Sequence, residues 1–103
     1  ALGFSQGTAT VCRWAVLGAR EEAIDRLIVW GGEVPPDLEL TDRAAERLRK
    51  TKLTLVYGDR DEYFTPKIIA ATEARLREHE VPYEVVSFDG GHEIHTPTLR
   101  KLL

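Results

Sequence analysis

The sequence has little cysteine, no methionine, no long apolar run and no excess of positive charge. Its single cysteine, Cys12, excludes both an internal disulfide and a zinc site built on several cysteines. No apolar run approaches the roughly 20 residues of a membrane-spanning helix, and no signal peptide is visible. Fourteen Lys and Arg against 17 Asp and Glu give a net charge of −3, which argues against nucleic-acid or anionic-membrane binding. We therefore expect a cytoplasmic protein, since the lack of disulfides fits a reducing compartment.

The length and composition predict one globular domain over residues 1–103. Of the 103 residues, 43% are hydrophobic and 30% are charged, a balance typical of soluble domains. The chain begins at Ala1 and has no methionine, which suggests a trimmed product or a fragment of a longer protein. Such a small domain buries only a modest core.

Helical and strand patterns alternate along the chain. Short apolar runs predict strands at residues 27–30, 53–57 and 83–88. Helices are predicted at residues 8–17, 42–50 and 66–80 and in the tail from residue 96. This alternation is typical of a parallel sheet with right-handed crossovers, so the predicted fold class is α/β.

Residues 3–7 read Gly-Phe-Ser-Gln-Gly and fit the pattern G-x-S-x-G. In this motif the serine lies on a sharp, strained turn between a strand and a helix, where free N–H groups can stabilise an oxyanion. The motif alone is weak evidence for a nucleophile, but the apolar helix predicted directly after the motif strengthens that evidence. Ser5 is therefore a candidate nucleophile, and the alternative is a serine that caps the following helix.

A serine nucleophile needs a base, and the base needs a carboxylate that orients it. Asp61 follows the strand predicted at residues 53–57, and His92 follows the strand at 83–88. Both loops belong to the carboxyl ends of parallel strands, where the active sites of open α/β sheets lie. The alternative acid is Asp59, which better suits the turn, and the alternative base is His95.

Three segments together resemble the C-terminal half of an α/β-hydrolase of the carboxylesterase/phospholipase type, a group that includes acyl-protein thioesterases. They are residues 3–7, residues 56–61 (Val-Tyr-Gly-Asp-Arg-Asp) and residues 90–94 (Gly-Gly-His-Glu-Ile).

The resemblance implies that Ser5 is the nucleophile, Asp61 the acid and His92 the base, and that the backbone N–H of Gln6 belongs to the oxyanion hole. It further implies hydrolysis of a small-molecule ester or thioester with neither a metal nor an organic cofactor. Trp30 ends its strand at the same edge and is a candidate for lining the acyl pocket, with plain core packing as the alternative.

Only two residues precede Gly3, whereas the resemblance implies a strand there and further strands before it. The expected fold is therefore a partial α/β-hydrolase with three parallel strands and flanking helices, in which the N-terminal strands are missing. A second oxyanion donor would be missing too, so we expect impaired activity. The strand at residues 27–30 would expose an unpaired edge, which favours a homodimer through that edge. The alternative function is a non-catalytic remnant that acts only by self-association.

Overall fold

A computed structural model describes residues 2–5, 7, 12, 26–32, 34 and 42–102. The strands are β1 (Leu2–Phe4), β2 (Arg26–Trp30), β3 (Lys52–Gly58) and β4 (Tyr83–Phe88). The helices with described bounds are α1 (Asp42–Arg49), α2 (Pro66–Glu78) and α3 (Thr96–Leu102). Apart from β1, which the sequence did not predict, these bounds match the predicted elements to within two residues. The helix predicted at residues 8–17 lies outside the described residues, except for Cys12, which is helical and buried.

The sheet has four parallel strands in the order β1-β2-β3-β4. The prediction of three strands is therefore wrong, because Leu2 and Phe4 pair with Ile28 and Trp30 and make a short fourth strand. The strand that leads into Ser5 is thus present. The edge of β2 that we expected to drive a homodimer is covered by β1, so that argument for self-association fails.

The central strands β2 and β3 are buried on both faces, which explains their continuous apolar runs. Alternate residues of β2 point to opposite faces, with Leu27 and Val29 in one apolar cluster and Ile28 and Trp30 in the other. Ala45 and Leu48 of α1, Leu76 of α2 and Cys12 join the first cluster. Leu99 and Leu102 of α3 pack against the second.

The start of α2 anchors the loop that follows Asp61, the predicted acid. The Thr65 side chain accepts a hydrogen bond from the backbone N–H of Ile68 (3.4 Å), and Pro66 occupies the first helical position. Proline costs little there because its missing N–H would have no partner within the helix. The 61–65 loop is thus anchored at its far end. Among the described helices, none has both the length and the apolar character to cross a membrane.

Candidate active site

Ser5 lies one residue beyond β1, in a left-handed backbone conformation. Its φ is 56°, and its backbone N–H donates to the carbonyl of Trp30 (2.9 Å). A residue other than glycine rarely adopts such a φ, and strained positions of this kind cluster at functional sites. The sequence predicted a sharp turn at this residue, and β2 holds that turn in place through the Trp30 carbonyl.

The imidazole of His92 contacts both of the other predicted triad residues. Its Nε2 lies 2.8 Å from Ser5 Oγ, and its Nδ1 lies 2.8 Å from Asp61 Oδ2. An ionised carboxylate can only accept hydrogen bonds, so Nδ1 carries the hydrogen in this arrangement. The other ring nitrogen of a neutral imidazole then accepts from the Ser5 hydroxyl. Three side chains from three strand ends thus form one continuous chain of hydrogen bonds.

The carboxylate of Asp61 is almost fully enclosed, with a side-chain exposure of 1%. Its Oδ1 accepts from the backbone N–H groups of Tyr63 (2.8 Å) and Phe64 (2.9 Å), while Oδ2 faces His92. Burial alone would raise the pKa of Asp61, but the hydrogen bonds from His92, Phe64 and Tyr63 outweigh it and lower the pKa below its ordinary value. The group is therefore ionised at neutral pH.

Close packing holds the His92 ring in this orientation. The ring stacks on Phe4 with a centroid separation of 4.9 Å and meets the ring of Tyr63 at 4.8 Å. Gly31 lies beneath it with a φ of 64°, and a Cβ atom there would come within 3.2 Å of the imidazole. Phe4 and Gly31 were not among the sequence candidates. The position of Gly31 directly after an apolar strand is the sequence feature that could have marked it as part of the site.

Two loops meet behind the site and hold Asp61 and His92 at a fixed separation. The Asp59 and Arg60 N–H groups donate to the carbonyls of Phe88 and Gly90, each at 2.9 Å. The Asp59 carboxylate accepts from the Gly90 N–H at 3.1 Å. Asp59 therefore does not contact His92 but joins the two loops, which extends its predicted role in the turn.

The other histidines lie away from the Ser5 hydroxyl. His95 stacks on Phe88 with parallel rings, and its Nδ1 lies 2.8 Å from the Thr98 hydroxyl at the start of α3. His79 ends α2, and its carbonyl accepts from the Arg49 guanidinium. Of the three histidines, His92 is the one that the structure brings to Ser5.

Trp30 supports the site from below and has no exposed surface. Its indole N–H donates to the carbonyl of Glu93 (2.8 Å), and its ring packs against Phe88. This burial favours core packing, the alternative left open for Trp30, and lining of an acyl pocket stays an untested prediction. The paired indole N–H explains how so large a residue is buried at the end of β2.

Gln6, the predicted oxyanion donor, lies outside the described residues. Within the described part of the chain, no group of three or more His, Cys, Asp or Glu side chains is arranged to hold a metal ion. A cleft of about 280 Å³ opens beside the imidazole and is lined by Arg60, Glu62, Tyr63, Gly91 and His92. This cleft provides space for a small group next to the proposed base.

No protein-family model and no curated protein matches the sequence. Solved structures do match its fold. SOBER1 of Arabidopsis thaliana superposes with a TM-score of 0.75 at 24% identity, covering 98% of this chain and 48% of that one. Acyl-protein thioesterase 2 of Zea mays gives 0.74 at 19% identity, covering 98% and 51%.

A third match is MGS-M1, described as an alpha/beta hydrolase enzyme from a deep-sea metagenome library. It gives a TM-score of 0.65 at 14% identity and covers 89% of this chain and 38% of that one. The chain thus spans about half the length of the first two structures. At these identities the likeness establishes the fold. The chain has a partial α/β-hydrolase fold of the kind seen in acyl-protein thioesterase-like structures.

Proposed function

We propose that this chain carries the catalytic triad of a serine hydrolase of the carboxylesterase/phospholipase type that cleaves small-molecule esters or thioesters. The observation that carries the proposal is the His92 ring, which bonds Ser5 Oγ and Asp61 Oδ2 at 2.8 Å each. A serine hydroxyl is a weak nucleophile by itself, and this arrangement supplies both the base and the group that orients it.

In the proposed reaction Ser5 Oγ attacks the substrate carbonyl while its proton passes to His92 Nε2. The ionised Asp61 stabilises the imidazolium that forms, and the backbone N–H of Gln6 is the proposed donor to the oxyanion. The tetrahedral intermediate collapses to an acyl-Ser5 ester as His92 returns the proton to the leaving alcohol or thiol. Water, activated by the same imidazole, then releases the acid.

Two of the matched structures, acyl-protein thioesterase 2 and a ferulic acid esterase, are named as hydrolases of thioester and ester bonds. Those activities belong to the matched proteins, which support the same bond class here. The chain covers 51% and 48% of these two structures. Hydrolytic activity of this chain is therefore a proposal.

The test is covalent labelling of the full 103-residue chain with a fluorophosphonate, because this single-turnover reaction requires an activated hydroxyl. Phosphonylation joins Ser5 Oγ to phosphorus and releases fluoride, and mass spectrometry locates the adduct. We expect stoichiometric labelling of Ser5 that is lost in Ser5→Ala and strongly slowed in His92→Asn. Ser87→Ala, at an exposed serine of β4, is the matched control and keeps the labelling.

Absence of labelling in a folded wild-type chain would overturn the proposal and leave the non-catalytic alternative. Labelling of Ser5 that is equally fast in His92→Asn would also contradict it, since the imidazole would then play no part as base. Hydrolysis of p-nitrophenyl acetate, compared with Ser5→Ala, reports separately whether the acyl-enzyme turns over.

A further inference from the structure

We propose that Tyr63 forms the subsite for the leaving group, and that the site favours esters whose alcohol or thiol half carries a flat apolar ring. This inference rests on the proposed function and names the part of the substrate that the 280 Å³ cleft receives. Two independent features of Tyr63 support it, namely its exposure and its anchoring to the proposed triad.

Tyr63 is 72% exposed, whereas the next residue, Phe64, is 2% exposed and faces the core. Leaving so large an aromatic ring in solvent forgoes the stabilisation that burial would give it. The Tyr63 backbone is nevertheless held at the site, because its N–H donates to Asp61 Oδ1 (2.8 Å). Its ring meets the His92 ring at 4.8 Å with an interplanar angle of 52°. The exposed ring is thus fixed beside the proposed base.

The direction of the reaction determines which half of the substrate lies in this cleft. The acyl carbon bonds to Ser5 Oγ, while the leaving oxygen or sulfur must receive its proton from His92 Nε2. The leaving half therefore lies on the His92 side. Among described residues the cleft lining includes His92, Gly91 and Tyr63, and Ser5 does not belong to it. The cleft accordingly suits the leaving half.

The size and chemistry of the cleft match a single ring. Small-molecule sites usually occupy about 300–1,000 Å³, so 280 Å³ fits one portion of a substrate. Aromatic rings attract each other at centroid separations of roughly 4.5–7 Å, and the exposed Tyr63 ring offers such a surface. Arg60 lies on the rim, but its guanidinium pairs with Asp89. Glu62 also lines the cleft, and an anionic side chain there does not favour a negatively charged leaving half. We infer that contact with the Tyr63 ring supplies the recognition.

The test compares two reagents that leave the same diethylphosphoryl group on Ser5. Diethyl p-nitrophenyl phosphate releases p-nitrophenol, and diethyl fluorophosphate releases fluoride. We expect Tyr63→Ala to slow the aryl reagent about three- to tenfold, the range of one aromatic pair. Because the Tyr63 ring also packs against His92, the fluoride reagent should be slowed as well, but by a clearly smaller factor than the aryl reagent. Tyr63→Phe should behave as wild type, and Val85→Ala is the remote control at an exposed apolar residue of β4.

Equal slowing of both reagents by Tyr63→Ala would overturn the inference, because it would mean that the ring only positions His92. No slowing of either reagent would overturn it too. The proposed function fails in a different way, namely if neither reagent labels wild-type Ser5. Titration with 2-naphthol tests the cleft independently of labelling. We expect backbone NMR shifts at Gly91 and His92 in wild type that are lost in Tyr63→Ala, and their absence in wild type would contradict the subsite.

Discussion

The backbone of Gly58 lies directly against the carbonyl oxygen of Gly91, so that a Cβ atom at residue 58 would overlap it. The same Cβ would lie 2.7 Å from the carbonyl carbon of Gly90. Gly58 ends β3 three residues before Asp61, and Gly91 immediately precedes His92. The contact therefore sets how closely the two loops approach, and with it the distance from the Asp61 carboxylate to the imidazole.

We predict that Gly58→Ala separates these loops and slows fluorophosphonate labelling of Ser5 by at least about tenfold, since small displacements of a base cost much of its effect. Overpacking of this kind also lowers the free energy of unfolding, by about 1–3 kcal/mol. Urea denaturation measures the stability change, and the labelling rate under fully folding conditions measures the site.

Gly91→Ala is the matched control for Gly58→Ala. A Cβ atom at residue 91 would lie 3.9 Å from the Arg60 carbonyl oxygen, an ordinary van der Waals contact. We expect its stability to stay within about 1 kcal/mol of wild type. Equal destabilisation by the two substitutions would show that the close approach at Gly58 is not the determining contact.

Asp59 is predicted to act as a positioning residue for His92 through its hydrogen bond from the Gly90 N–H. Asp59→Ala removes this acceptor from the N–H of a buried residue, which costs about 1–3 kcal/mol of stability. We expect slower Ser5 labelling with little change in reagent affinity. Asp59→Asn retains a carbonyl acceptor and should restore most of the rate. If Asn behaves as Ala does, the charge of Asp59 and not its hydrogen bond is responsible.

Most of the elements could be predicted from the sequence, because the apolar runs of β2, β3 and β4 are bounded by polar or glycine residues. β1 could not, since its three residues, Leu2–Phe4, are too few to show a period and become a strand only through pairing with β2. Because β1 was not predicted, the sequence analysis wrongly placed β2 at the edge of the sheet.

The site could be predicted to the extent that local motifs mark it. Ser5 lies in G-x-S-x-G, and Asp61 and His92 follow strands that end at one edge. The contacts that hold these residues are long-range, such as the hydrogen bond from Trp30 to Glu93, 63 residues away. Because β2 is buried on both faces, its sequence is a continuous apolar run without alternating polar residues. The sequence therefore could not show which face Trp30 occupies or which residues it contacts.

Trp30→Phe separates the observed role of this residue from the one predicted for it. The variant retains an aromatic ring but loses the indole N–H, so the Glu93 carbonyl loses its donor and part of the ring volume becomes a cavity. We expect a loss of about 1–3 kcal/mol in the free energy of unfolding. Because the ring is buried, relative rates with p-nitrophenyl acetate and p-nitrophenyl hexanoate should not change. A shift in acyl-length preference would restore Trp30 as a pocket residue.

Asp61→Asn should change how stability depends on pH. The pKa of Asp61 is lowered in the folded state, so the folded chain binds fewer protons at this group than the unfolded chain does. Its ionised form therefore stabilises the fold above its unfolded pKa of about 3.9. That contribution is lost as the pH falls through the lowered folded pKa. Asparagine does not titrate, so the stability difference between wild type and Asp61→Asn should be largest above about pH 5 and shrink progressively toward acid.

Urea denaturation of both proteins across the acidic range measures this difference directly. Subtracting the two curves cancels the other carboxylates, whose surroundings are the same in both chains. Asp59→Asn serves as the control because the Asp59 side chain is exposed and its hydrogen bond is kept. A difference for Asp61→Asn that grows toward acid would mean that burial outweighs the hydrogen bonds from His92, Phe64 and Tyr63. The carboxyl group would then be protonated more readily in the folded state, and it could not orient the imidazole as an anion.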